Sequence, residues 1–203
     1  MIDTCRVVVM AKAPLAGYAK TRLIPTLGAA GAAALALRLL QSTVAQALAA
    51  DIGPLTLCCT PDSLHPAFTA LATDSRVSLE VQCSGDLGQR MATAVANALQ
   101  SASSVILIGT DVPALDAAHL RQAGAALAQH DAVITPAADG GYALIGLHRM
   151  ERRLFDALPW STPQVLALTR QRLAECGLRC LEMPVLHDID EAADLLHLPA
   201  GWL

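Results

Sequence analysis

Aromatic side chains are scarce in this chain, with two each of Trp, Tyr and Phe among 203 residues. No ladder of rings is available on which unpaired bases could stack. Positive charge is short as well: 14 Lys and Arg face 18 Asp and Glu, a formal net charge of −4. A basic footprint is missing, so nucleic acid is excluded as an expected partner. The six cysteines (Cys5, Cys58, Cys59, Cys83, Cys176 and Cys180) form no C-x-x-C pair, and none stands near a His pair at zinc spacing. They read as small core hydrophobes of a reduced chain, which points to the cytoplasm. The start, Met1-Ile-Asp-Thr-Cys-Arg6, lacks the charged-then-apolar order of a signal peptide. Unbroken apolar stretches of membrane-spanning length are missing too. The alanine-rich residues 27–50 are interrupted by Arg38, Gln41 and Gln46. Leu37, Leu40, Val44 and Leu48 share one helical face there, so an amphipathic core helix is expected rather than a membrane span.

What the chain does have is core. Hydrophobic residues make up 54% and charged residues 16%, enough for one well-buried domain over residues 1–203. Strand-like apolar runs recur at 6–10, 55–60, 77–83, 105–108, 132–135, 142–147 and 178–186. Helical patterns fill most of the gaps, at 29–50, 64–73, 87–101, 117–129 and 162–176. Alternation of this kind implies right-handed crossovers and a Rossmann-like α/β sandwich of three layers, with a mostly parallel sheet between helices. Only Pro136-Ala-Ala-Asp-Gly-Gly141 separates the fifth and sixth runs, too little for a crossover helix. Those two strands form a hairpin or leave one strand running against the rest. Ser161-Thr-Pro-Gln164 is the expected start of the last long helix and Gly177 its end, and Asp116 is a candidate cap for 117–129.

Five segments carry chemistry. In Val105-Ile-Leu-Ile-Gly-Thr-Asp111-Val-Pro113 a buried strand runs straight into a carboxylate. In an open α/β sheet that edge is where ligands bind, and a hard divalent cation is the usual partner of a carboxylate there. The plain alternative is a turn or helix cap. After the first strand, Lys12-Ala-Pro-Leu-Ala-Gly17-Tyr-Ala-Lys20-Thr-Arg22 gathers three cations around a glycine, suited to holding phosphates. It is not a P-loop, since Pro14 and Ala19 occupy the two glycine positions that motif needs. In Gly85-Asp86-Leu-Gly88-Gln-Arg90 the glycines permit close backbone approach and Arg90 reaches towards a phosphate or base, while Asp86 serves equally as an N-cap. Asp139-Gly140-Gly141-Tyr142 reads either as a tight turn or as a substrate contact in which Asp139 meets a hydroxyl. Finally Asp188 and Asp190 follow the last strand, where they cap a helix or complete a metal site begun by Asp111.

Taken with Trp160-Ser-Thr162, these segments in this order resemble a bacterial family of transferase-like proteins with the GT-A, nucleotide-diphospho-sugar transferase type of fold, associated with radical-SAM genes. The segments from Lys12, from Gly109 to Pro113 and from Asp188 to Asp190 also look like those of phospholactate guanylyltransferase and, more distantly, molybdenum cofactor guanylyltransferase. The resemblance implies a nucleotide or nucleotide-sugar bound at the amino-terminal half, Mg²⁺ or Mn²⁺ near Asp111, and a small-molecule acceptor. Gly109 departs from the D-x-D of many glycosyltransferases. Glycosyl transfer, nucleotidyl transfer with release of pyrophosphate, and nucleotide binding without catalysis all remain open. In each, Lys12, Gly17, Lys20, Arg22, Asp86 and Arg90 serve the nucleotide, Gly140, Gly141 and Tyr142 the substrate, and Asp111 and Asp139 the chemistry, with Asp188 and Asp190 on the metal. Self-association as a homodimer is left open.

Overall fold

The seven apolar runs become the seven strands of one sheet in the computed structural model, which describes residues 4–202. Met1 to Asp3, on which the leader reading partly rests, lie outside the described residues. The strands are β1 (Cys5–Lys12), β2 (Leu55–Thr60), β3 (Val77–Val81), β4 (Ser104–Ile108), β5 (Ala132–Pro136), β6 (Tyr142–Leu147) and β7 (Cys180–Glu182). Their order is β3-β2-β1-β4-β6-β5-β7. β6 runs antiparallel to both β4 and β5, and every other pairing is parallel. The hairpin and the lone reversed strand expected from the short 136–141 segment are therefore the same feature.

Five α-helices cover the sheet: α1 (Ile24–Ala50), α2 (Pro66–Leu71), α3 (Leu87–Ala98), α4 (Ala117–Leu127) and α5 (Val165–Glu175). Successive strand residues point to opposite faces. Val7 and Val9 join Leu40, Val44 and Leu120 of α1 and α4 in one core, and Val8 joins Met91, Val95 and Leu166 of α3 and α5 in the other. Because β1, β4 and β5 are covered on both faces, they read as continuous apolar runs rather than alternating ones.

Several boundaries differ from the sequence reading for local reasons. α1 starts five residues early, and Gly28 (φ 69, ψ 165) breaks its helical geometry near that start. Its buried stripe centres on Leu35, Leu39, Leu40, Val44 and Ala47, with Leu37 and Leu48 only half-buried flanks. Thr21–Ala50 is long and apolar enough to cross a membrane; here Leu40, Val44, Ala47 and Ala50 pack on the sheet. α5 begins at Val165 because Ser161 takes φ 63 and the Thr162 hydroxyl donates to Pro159 O (2.7 Å), which makes Ser161-Thr-Pro a turn instead of a cap. Gly177 (φ 63) does end that helix, with the Leu178 N–H donating to Leu173 O at 2.9 Å. β7 stops at Glu182, two residues before Pro184, leaving Leu186 as a single bridge to Ala137.

Candidate functional site

β1 leads to β2 and β3 on one side, while β4 lies on the other side of β1. Crossovers that leave in opposite directions open a crevice at the carboxyl ends of the two strands. A cleft of about 350 Å³ occupies that place, reached by Lys12 from β1, Asp111 from the end of β4 and Tyr142 from the start of β6. Most of the residues singled out from the sequence reach it: Lys12, Arg22, Arg90, Asp111, Asp139, Gly141, Tyr142, Asp188 and Asp190 all line it.

One wall is acidic. The Ile189 N–H donates to Asp111 O at 2.9 Å, which ties the segment after β7 to the end of β4. Asp111 and Asp190 consequently converge, as expected, but what they share is an ammonium. Lys20 Nζ is paired with Asp111, donates to Asp190 Oδ1 at 2.9 Å and donates to Ile189 O at 2.6 Å. Its side chain is only 8% exposed. Lys20 is therefore not the exposed point charge that the loop sequence suggested. Burial by itself would lower its pKa, and Asp111 and Asp190 more than offset this and hold it above the ordinary lysine value. Arg22, 59% exposed, stands 3.6 Å from Asp190 and 3.8 Å from Glu191.

Asp188 is pushed up to about 6, by burial first and then by the charges of Asp139, Asp190 and Asp194. Asp139, Asp188, Asp190, Glu191 and Asp194 gather around Arg22 on this side. So much carboxylate against so little positive charge suits a hard cation such as Mg²⁺ or Mn²⁺. Asp111, Asp190 and Asp188 are the side chains that could hold it. Among the described residues no three metal-ligating side chains are close enough to share an ion as they stand. One or two carboxylates completed by water and substrate phosphates is nevertheless the common arrangement for Mg²⁺.

The opposite wall is cationic. Lys12 lies 4.1 Å from the centroid of the Tyr18 ring. Arg90 donates to Gln82 Oε1 (3.2 Å) and to Asp86 O (3.3 Å). Gln82 spends its own amide hydrogens on Cys58 O (2.8 Å) and Ala11 O (3.3 Å), so its oxygen is turned to the guanidinium. The sequence reading missed Gln82: a lone Gln past an edge strand gives no signal, because its partners belong to β1 and β2.

Several expected contacts turn out to be scaffolding. The Asp86 side chain accepts from Gln89 N (2.8 Å) while Gln89 Oε1 accepts from Asp86 N (3.0 Å), a reciprocal cap of α3. Gly140 sits at φ 90, and a Cβ there would fall 2.5 Å from Pro163 O, so its bareness serves packing against the 161–164 turn. Gly88 likewise accommodates Trp160, whose Nε1 would lie 2.4 Å from an added Cβ. Gly17 (φ 79) has open space around it and shapes the loop without lining the cleft. Asp139 is exposed and its Oδ1 accepts from Gly141 N at 2.8 Å, which gives the turn its form. Tyr142 and Trp160 meet edge to face at 6.3 Å, and Tyr142 Oη and Trp160 Nε1 are buried without hydrogen-bond partners. Burial raises the Tyr142 pKa.

The fold recurs in solved structures. A protein from Desulfovibrio desulfuricans G20, provisionally named a nucleotide-diphospho-sugar transferase, is 29% identical and superposes with a TM-score of 0.86 over 94% of this chain and 84% of its own. CMP:2-keto-3-deoxy-manno-octonic acid synthetase complexed with CTP is 12% identical, with a TM-score of 0.60 over 96% of each chain. Rv0371c from Mycobacterium tuberculosis H37Rv, in complex with manganese, is 18% identical, with a TM-score of 0.55 over 98% of this chain and 99% of its own. At such identities the last two likenesses concern the fold alone. None of the curated proteins matches the sequence. A family described as "Uncharacterized protein conserved in bacteria (DUF2064)" matches residues 43–162, more than half of the chain, and the protein belongs to that family.

Proposed function

We propose that this protein is a cation-assisted transferase that takes a nucleotidyl group from a nucleoside triphosphate and releases pyrophosphate. The observation that carries this reading is the two-sided cleft at the switch point of the sheet, with Arg90, Lys12 and Arg22 as donors and Asp111, Asp188 and Asp190 as acceptors. Met10, Leu87, Met91 and Leu107 form an apolar slot for a base beside Arg90, whose guanidinium Gln82 holds in place. Arg22, exposed at the mouth, takes the phosphates with Lys12. A bound Mg²⁺ or Mn²⁺ on Asp111 and Asp190 would neutralise charge on the leaving pyrophosphate. Asp188, half-buried beside that pair, takes the proton from the acceptor hydroxyl as its oxygen attacks the α-phosphorus. Asp139, exposed at the rim, shapes the turn that faces the acceptor.

Glycosyl transfer from a nucleotide-sugar is the second reading, favoured by the provisional name of the 29% identical neighbour. Gly109 in place of the first carboxylate of a D-x-D speaks for the nucleotidyl version. Action on a small acceptor as one domain of 203 residues in the cytoplasm, association with radical-SAM genes and self-association as a homodimer belong to the same proposal.

Thermal shift against nucleoside triphosphates and nucleotide-sugars, each with Mg²⁺ or Mn²⁺, tests it. A ligand at 100 times its Kd stabilises by about 2.7 kcal/mol. Pyrophosphate release on adding acceptors supports nucleotidyl transfer, and nucleoside diphosphate release supports glycosyl transfer. Binding without turnover on any acceptor would favour a nucleotide-binding regulator, and no shift with any nucleotide removes the whole reading.

A further inference from the structure

Lys20 does something that a phosphate-holding loop does not require. Among the described residues its ammonium is the cation that touches both Asp111 and Asp190, and it reaches them from a recess where its side chain is 8% exposed. The backbone delivers it there at φ 48, ψ 45, a conformation costly for a residue with a side chain. The two carboxylates are themselves 45% and 40% exposed and open to the cleft. A divalent ion that takes both of them leaves the ammonium with the Ile189 carbonyl alone. An unpaired charge in a recess is strongly disfavoured unless another anion receives it. Neither other cation is in this position. Lys12 is exposed over the Tyr18 ring, and Arg22 is 59% exposed, so losing a carboxylate strands neither of them.

The geometry points to Lys20 as a resident cation of the Asp111–Asp190 pair, which yields those carboxylates to a divalent ion far more readily when nucleotide phosphates arrive to receive its ammonium. This inference rests on the nucleotide-and-cation reading above and adds a coupling to it. The cation binds weakly without nucleotide and tightly with it, and Lys20 passes from carboxylates to phosphate in that exchange. By linkage the arrangement appears as a coupling between the two ligands, which for such devices spans about 5–150-fold in affinity.

Two measurements decide it. Free Mn²⁺ is followed by electron paramagnetic resonance in titrations of the protein and of Lys20→Met, without nucleotide. Removing the resident cation is expected to tighten Mn²⁺ binding by about tenfold or more. Equal or weaker binding by the variant overturns the role of Lys20 while leaving the metal site standing. The second measurement needs no variant. Lys12 and Lys20 are the chain's two lysines, so acylation read by mass spectrometry carries its own reference. In the free protein Lys20 should label poorly relative to Lys12, and Mn²⁺ at saturating concentration should raise Lys20 labelling. Unchanged Lys20 labelling with Mn²⁺ bound overturns the inference. If neither protein binds Mn²⁺, even with the nucleoside triphosphate that gives the largest thermal shift, the cation reading falls and this inference falls with it.

Discussion

Lys20 and Arg22 stand two residues apart in one loop and approach the same carboxylate, Asp190, yet their surroundings differ completely. Lys20 is 8% exposed and has three partners, whereas Arg22 is 59% exposed and its nearest carboxylate is 3.6 Å away. The buried cation is part of what holds the segment after β7 to the end of β4. The exposed one is free to exchange Asp190 for a ligand. A similar contrast separates two carboxylates of the acidic wall. Asp188 is half-buried among like charges, while Asp139 is exposed and shapes a turn. Residues of one type, close in space, serve structure or chemistry according to how much water they keep.

The largest expected effect tests the carboxylates. Asp188→Asn should lower turnover with the true acceptor by about 10²–10⁴-fold while nucleotide binding persists. Asp139→Asn should change it little, because Asn serves such a turn as well as Asp. Steady-state kinetics of the two variants decide, and a larger loss in the Asp139 variant reverses the assignment. Next come the two cations, in stability. Lys20→Ala removes charge-assisted bonds and should cost about 1.5–3 kcal/mol in urea unfolding. Arg22→Ala should stay within about 0.5 kcal/mol. Similar losses from both would erase the distinction.

In binding Arg22 counts despite its small part in stability. Arg22→Ala is expected to weaken nucleotide affinity by about tenfold through loss of a charge-assisted contact, measured by calorimetry. Unchanged affinity would take Arg22 out of the phosphate site. The smallest effect is in pH. Because Asp188 is held at about 6 in the fold, against an ordinary carboxylate near 4, the native state favours its protonated form. Its contribution to stability is complete below about pH 4 and is lost as pH rises through about 6. Catalysis runs the other way, with kcat/KM rising as the base ionises. Asp139→Asn removes one of the charges that raise Asp188, so the acid limb of the profile should move to lower pH. A limb that stays in place would mean that burial and the other carboxylates, not Asp139, raise Asp188.

The site was legible in its ingredients and less so in its assignments. Asp111, Asp188, Asp190, Arg22 and Arg90 could be picked out because each follows an apolar run or a glycine-containing turn, and such patterns can be read from a few neighbouring residues. Asp86, Gly88 and Gly140 could not be assigned, because a cap and a ligand contact call for the same residue types. A glycine that admits a nucleotide looks, in sequence, like one that admits Pro163 or Trp160.

The sequence by itself determined the strands, most of the helices and a reversal across the short 136–141 segment, because alternation, apolar runs and turn residues act over distances of a few residues. It also determined that carboxylates and cations would collect at one edge of the sheet, since that edge follows from where the strands stop. Only the tertiary structure decided which charges meet. Lys20 finds Asp190 across 170 residues of sequence, and Gln82 finds the carbonyls of Ala11 and Cys58. Those encounters depend on a strand order that places β1 beside β4 and brings the end of the chain back against β4. A preference acting over a few residues carries no record of what lies across the sheet.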